Sequence, residues 1–343
     1  MTPPEGGALA RPVRRLLVGL AGTGAVAGAA HAATRALARR GAPAGSASDP
    51  DLAMPADVVH HRLPMADGGK VHVVERGSGP VVVLLHGAGL SSETWAYQFH
   101  DLASSHRLVA VDLRGHGESE PGRGTVTIEQ IAGDLAEVLH ELDLRRLVLV
   151  GHSMGGMAVL RLARLRPEVI RERVGSVLLM STASGVLPQA GLFAAAGPLA
   201  ARTAVGVDAA VNRSGRFGIP KGRLGWLASR VGFGAAAAPA QVAAALDMLR
   251  RTPPSVFVGL FPEIMAFDER APFTELGVPV TVLVGDRDWL TPPAFATALA
   301  SGLPGARLLV WHGAGHMLMY ERRESLDWLL ESLARSATIA GAP

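Results

Sequence analysis

The sequence predicts an α/β fold, a mostly parallel, doubly wound sheet with helices on both faces and an inserted helical cap. Three observations carry that prediction. Val81 to Leu85, Leu108 to Val111, Leu147 to Val150, Val174 to Met180, Val280 to Val284 and Leu308 to Trp311 are short continuous apolar runs, the pattern of strands buried on both faces. Helical stretches alternate with them, as right-handed crossovers between parallel strands require. The alternation breaks once, between Met180 and Val280, where about a hundred residues replace a connection of a few.

Taken in order, the first fifty-five residues stand apart. Arg11, Arg14 and Arg15 precede an uncharged stretch, Leu16 to Thr34, closed by Arg35, Arg39 and Arg40. Three readings stay open: a membrane-seated helix, since about 20 apolar residues are needed to span; a cleaved secretory signal with Ala30-His31-Ala32 as its exit; or an Ala-rich soluble helix. Gly22, Gly24 and Gly28 mimic a dinucleotide loop, but no second strand ending in an acid follows. The expectation is therefore a membrane-associated or exported protein, with a cytoplasmic one as the alternative. Gly41 to Pro55 reads as a linker. Val58 to Leu63 and Lys70 to Glu75, joined across Asp67-Gly68-Gly69, read as an antiparallel hairpin. Helices are expected over Trp95 to Ala103, Ile128 to Leu142 with Thr127 as cap, Met157 to Leu165, Ala294 to Leu303 and Ser325 to Ala334. Within the insertion, Ala190 to Ala210, Arg223 to Ala245 and Val256 to Phe267 read as short helices. The organisation is an N-terminal segment and linker (1–55), a catalytic core (56–184 and 270–338) and a cap (185–269).

Composition agrees with extensive burial: 48% of residues are apolar and 18% charged, against the usual ~25% charged. The net charge of +3 comes from arginines scattered among acids, with no basic run interleaved with aromatics, so no nucleic-acid partner is expected. The chain has no cysteine, which removes disulfides, thiolate metal sites and cysteine nucleophiles together.

Chemistry is sought beyond the carboxyl ends of the strands. After Leu147 to Val150 comes Gly151-His152-Ser153-Met154-Gly155-Gly156, a Gly-x-Ser-x-Gly turn between strand and helix, where flanking side chains would collide with a nucleophile on a sharp bend. A serine hydroxyl needs a base oriented by an acid. Gly285-Asp286-Arg287-Asp288 follows Val280 to Val284, and His312-Gly313-Ala314-Gly315-His316 follows Leu308 to Trp311, giving the order Ser, Asp, His. With His86-Gly87-Ala88-Gly89 and the stretch Asp112 to Ser119, these motifs resemble the α/β-hydrolase family from about Val58 to the C-terminus. The resemblance implies Ser153 as nucleophile, His316 rather than His312 as base, and Asp288 rather than Asp286 as acid. It also implies an oxyanion hole from the amides of Ala88 and Met154, structural roles for His86, Glu321 and the Asp112 loop, and no cofactor or metal.

The serine elbow and the His86 loop are similar to those of monoacylglycerol lipases and general esterases. Carboxylic-ester hydrolysis through an acyl-enzyme is expected, with a small apolar ester as partner. Carbon–carbon bond hydrolases and cofactor-free perhydrolases share the triad, and a non-catalytic ligand-binding member is the alternative of another class. Epoxide hydrolases and haloalkane dehalogenases are disfavoured, since they carry a carboxylate where Ser153 stands. Trp95, Trp289 and Trp311 are expected in the core, and Met248, Phe257, Phe261 and Phe267 either pack on the sheet or line an acyl channel. His60 and His61 sit in a strand pattern and are not expected to bind metal.

Overall fold

The computed structural model describes residues 49–185, 187, 223–270 and 276–339. Eight strands form one sheet: β1 (Val59–Pro64), β2 (Lys70–Arg76), β3 (Val81–Leu85), β4 (Arg107–Val111), β5 (Leu147–His152), β6 (Val174–Met180), β7 (Val280–Gly285) and β8 (Arg307–Trp311). Their order is β1-β2-β4-β3-β5-β6-β7-β8. The opening hairpin and its join to β4 are antiparallel, and every other pair is parallel.

The period of two along each central strand splits the core. Val83, Leu85, Leu147 and Leu149 face one side, where α2 (Ile128–Glu141) and α3 (Met154–Leu165) cover them. Val82, Leu84, Val148 and Val150 face the other, against α1 (Ala96–Asp101) and α10 (Arg323–Ile339). Between them in the chain lie α4 (Pro167–Arg173), the inserted α5 (Arg223–Arg230), α6 (Pro239–Arg251) and α7 (Pro254–Ala266), then α8 (Pro293–Gly302) and α9 (Leu318–Glu321). The predicted cap on α2 is present in full: Thr127 Oγ1 accepts from the Gln130 amide at 3.1 Å, and Gln130 Oε1 accepts from the Thr127 amide at 3.0 Å.

The insertion spans both halves of the core. Val242, Ala245 and Met248 of α6 pack with α1 and α10, whereas Val256 and Leu260 of α7 pack with α2 and α3. Its return is tied down where the Glu269 amide donates to Ser184 O at 2.6 Å and the buried Glu269 carboxylate meets Arg161 at 2.5 Å and Arg164 at 3.3 Å. The stretch Ala190 to Ala210 lies outside the described residues.

Four expectations need correction. β8, read as buried on both faces, is the last strand of the sheet and has no buried residue, because it has a neighbour on one side only. The linker does not run to Pro55: Pro50–Leu52 forms a 3-10 turn capped by Asp49, and its neighbours dock on the core because Tyr97 and Arg323 offer partners to Asp49 and Asp51. The helix expected from Trp95 begins as a 3-10 turn, Ser92–Trp95, and becomes α-helical only from Ala96. Trp289 is 62% exposed, not core, because the Leu290 and Thr291 amides fold back onto buried Asp288 and leave the residue between them outside. Among the described residues no helix is long and apolar enough to cross a membrane, and the stretch Leu16 to Thr34 lies outside them.

Candidate active site

Ser153 sits between β5 and α3 with φ +53° and ψ −117°, a conformation that costs a non-glycine residue about 1–3 kcal/mol and persists only where its surroundings enforce it. Here the enforcement is explicit. Its amide donates to Met180 O at 3.0 Å, and its carbonyl accepts from the Gly156 amide at 2.9 Å and from Thr182 Oγ1 at 2.7 Å. A Cβ on Gly151 would lie 2.6 Å from Gly156 Cα, so the turn closes only with glycine there. Met154 opens α3, so its amide lies in the first turn, where amides have no intrahelical acceptor and the helix dipole favours negative charge.

The loop after β3 runs against the same turn. A Cβ on Gly87 would stand 3.0 Å from Ser153 Cβ, which places the neighbouring Ala88 beside the elbow. His86 holds this loop from behind: its Nδ1 donates to Gly87 O at 2.7 Å and its Nε2 accepts from the Leu113 amide at 2.9 Å. Both ring nitrogens are thereby spent, and burial lowers its pKa. Asp112, buried and held down to about 2 despite its burial by His72 and by the Glu118 and Ser92 amides, fixes the loop that follows β4.

Of the two acids after β7, the structure brings Asp288 to His316. His316 Nδ1 lies 2.8 Å from Asp288 Oδ2, and both residues are buried. Asp288 Oδ1 accepts from the Leu290 and Thr291 amides at 2.9 and 2.8 Å, and Thr291 Oγ1 donates to Oδ2 at 2.9 Å. Asp286 instead accepts from the Gly313 amide at 2.7 Å and faces exposed His312 at 3.2 Å, which makes it a clasp between two loops. His316 and the elbow meet through His152, whose Nε2 donates to His316 O at 3.0 Å with ring centroids 4.7 Å apart. Burial, then the nearby His316, pushes the His152 pKa well below the ordinary histidine value, so His152 is neutral at pH 7. The Ser153 hydroxyl makes no hydrogen bond with His316 in this resting geometry; such contacts tighten on substrate.

Sequence reasoning missed two contributors, Thr291 and the Gly232 carbonyl, and gave Glu321 a structural role without its partners. Thr291 touches both Asp288 and His316, at 2.9 and 3.2 Å. Glu321 binds two amides with one carboxylate, Gly315 at 3.0 Å and Gly234 of the insertion at 2.7 Å, so it ties the loop of His316 to the segment after α5. The His316 amide itself donates to Gly232 O at 2.9 Å. Leu249 of α6 reaches the loop after β3 from above, its Cδ1 standing 2.2 Å from where a Cβ on Gly89 would be, with Phe257 of α7 beside it at 3.6 Å. Met248 and Phe267, by contrast, are buried in the two core halves. His60 and His72 spend nitrogens on each other at 2.9 Å, and His72 spends its second on Asp112.

Several known proteins are similar to this chain in sequence or fold. An uncharacterised protein of Mycobacterium tuberculosis is 24% identical over 256 residues, 71% of this chain and 72% of its own length. Bifunctional epoxide hydrolase 2 of Sus scrofa is 37% identical over 120 residues, 34% of this chain and 22% of that protein. A thermophilic esterase from Thermogutta terrifontis superposes with a TM-score of 0.66 at 25% identity, over 82% of this chain and 99% of the esterase. The sequence profile described as the alpha/beta hydrolase family matches residues 82–326, well over half of the chain, and the chain belongs to that family.

Proposed function

We propose that this hydrolase-family protein is a serine hydrolase that cleaves a small apolar carboxylic ester through an acyl-enzyme. The observation that carries the reading is the buried Asp288–His316 hydrogen bond of 2.8 Å, held beside a serine on a strained strand-to-helix turn. Ser153 Oγ attacks the ester carbon while His316 Nε2 takes its proton, and Asp288 keeps the imidazole proton on Nδ1. The carbonyl oxygen, now negative, accepts from the amides of Ala88 and Met154; one such donor is worth about 3–4 kcal/mol. Collapse of the intermediate breaks the bond to the alcohol oxygen, which leaves with the proton from His316. Water then repeats the sequence and frees the acid. No step requires a cofactor.

Residues 185–269 act as the cap in this reading. Leu249 and Phe257 present apolar surface to the loop of Ala88, and Arg251 of the same helix as Leu249 is engaged by Glu93 at 2.7 Å. That environment suits an uncharged, apolar ester. The basic and apolar start of the chain supports membrane association or export through residues 16–34; recovery of the protein wholly in the soluble cytosolic fraction with its N-terminus intact would refute both.

The nucleophile is tested with a fluorophosphonate probe. Wild type is expected to be labelled and Ser153→Ala not, and labelling that persists in the variant, or fails in both, would sink the assignment. A panel of nitrophenyl esters of increasing chain length then defines the acyl group. Faster turnover of a ring-cleavage diketone than of any ester would replace the esterase reading with carbon–carbon bond hydrolysis.

A further inference from the structure

We infer that Thr291 is a positioning residue of the Asp288–His316 pair, a role that rests on the serine hydrolase reading above. Asp288 has no solvent-exposed side-chain surface, so protein groups must satisfy its charge. A carboxylate offers about four lone-pair sites, and here four donors approach: the Leu290 and Thr291 amides on Oδ1, and Thr291 Oγ1 and His316 Nδ1 on Oδ2. Two of the four come from Thr291.

The hydroxyl has one proton, and it is spent on Asp288 Oδ2 at 2.9 Å. Towards His316 Nδ1, 3.2 Å away, the same oxygen can therefore only accept. The Nδ1 proton faces two acceptors, Oδ2 at 2.8 Å and Thr291 Oγ1 at 3.2 Å, which fixes both the tautomer and the ring plane. Nε2 is then the nitrogen left to take the serine proton. Thr291 is 3% exposed, so water cannot replace its hydroxyl if it is removed. Oδ2 would keep an unfilled site, and the carboxylate and imidazole would regain a shared rotation that the amides on Oδ1 do not prevent.

Thr291→Val keeps the branched shape and deletes the hydroxyl, while Thr291→Ser keeps the hydroxyl and deletes the methyl group. With a nitrophenyl ester, Thr291→Val is expected to lose about 10–100-fold in kcat, the scale of a small misplacement of catalytic groups, with KM changed by less than about twofold. Thr291→Ser should recover to within about threefold of wild type. The low-field proton resonance of His316 Nδ1–H should shift or broaden in Thr291→Val and return in Thr291→Ser. Wild-type kcat and an unmoved resonance in Thr291→Val overturn the assignment. So does a Thr291→Ser variant as impaired as the valine one, which would make the methyl packing responsible. If wild type neither hydrolyses esters nor takes the fluorophosphonate label, the serine hydrolase reading fails by itself. The resonance then decides whether Thr291 holds the pair: a shift in the valine variant supports it and an unmoved line rejects it.

Discussion

Asp327 holds a proton that most aspartates have lost well below neutrality: burial, with Asp101 beside it, pushes its pKa up to about 7, while Arg323 holds Asp101 in its ionised form. Because the folded carboxyl keeps its proton to a higher pH than the unfolded one, its contribution to stability is complete below the ordinary carboxylate range. It is lost as the pH rises through about 7. Asp327→Asn, neutral at every pH, should therefore flatten the decline of the urea midpoint between about pH 5 and pH 8.5 and be the more stable protein at the upper end. A variant that declines as steeply as wild type would show that another group titrates. At the site, Asp288→Asn should lose about four orders of magnitude in kcat and Asp286→Asn should stay within about threefold; the reverse result would move the acid by two residues. Ser153 was legible because its glycines follow a buried strand, and His316 because a glycine-rich loop follows another. Choosing Asp288 over Asp286 needed a family resemblance, since both lie in one turn and only their contacts differ. Thr291 was not legible at all. A threonine before Pro292 reads as turn chemistry, and its importance lies in where one oxygen sits relative to residues 3 and 25 positions away.

Elements differ in how much of their reason is local. The α2 cap is local, and Thr127→Ala should cost about 1 kcal/mol by removing one half of a reciprocal pair; urea unfolding measures this, and a loss near zero would mean that the packing of Ile128 and Ile131 fixes the helix start unaided. The central strands were legible for a related reason: a run buried on both faces cannot be mistaken for an amphipathic surface segment, whereas β8, apolar in sequence, lies at the edge and is only partly covered. α4 was missed because only Ile170 and Arg173 of its seven residues are buried, too few to print a helical period. Its order depends instead on Arg173 reaching the carbonyls of Leu139 and Leu144 at 3.1 and 3.2 Å, a tertiary cause. The described part of the insertion, α5 to α7, was recognisable as helical from composition, yet which of its apolar groups faces the elbow depends on how α6 and α7 dock. That docking leads to an element-scale expectation: Leu249→Ala should raise kcat/KM for bulky or long-chain nitrophenyl esters relative to acetate, by about 10-fold for the few methylenes of space released. An unchanged ratio would remove α6 from the specificity wall.

At the scale of the whole molecule, residues 49–53, read from the sequence as linker, dock on the core. Tyr97 donates its hydroxyl to Asp49 at 2.5 Å, Arg323 reaches Asp51 at 2.9 Å, and His100 meets Ala53 O at 2.9 Å. The Arg323 guanidinium also lies 4.4 Å over the Tyr97 ring, so a single cation joins the chain entrance, α1 and α10. Leu52 and Met54 add apolar surface against the same half of the core. Exposed ion pairs are worth little singly, but a network around a stacked arginine, together with buried apolar area, should contribute about 1–2 kcal/mol. A chain starting at Asp49 should therefore unfold several degrees above one starting at Met54, given about 2–4 °C per kcal/mol for a domain of this size. Arg323→Ala separates the causes, because its partner Asp51 is present only in the longer chain. The substitution should cost more stability in the chain that starts at Asp49 than in the one that starts at Met54, the remainder being its pair with Asp101 and its contact with the Tyr97 ring. Equal losses in the two chains would mean that Asp51 adds nothing through Arg323. Equal unfolding temperatures for the two chains would return residues 49–53 to the linker.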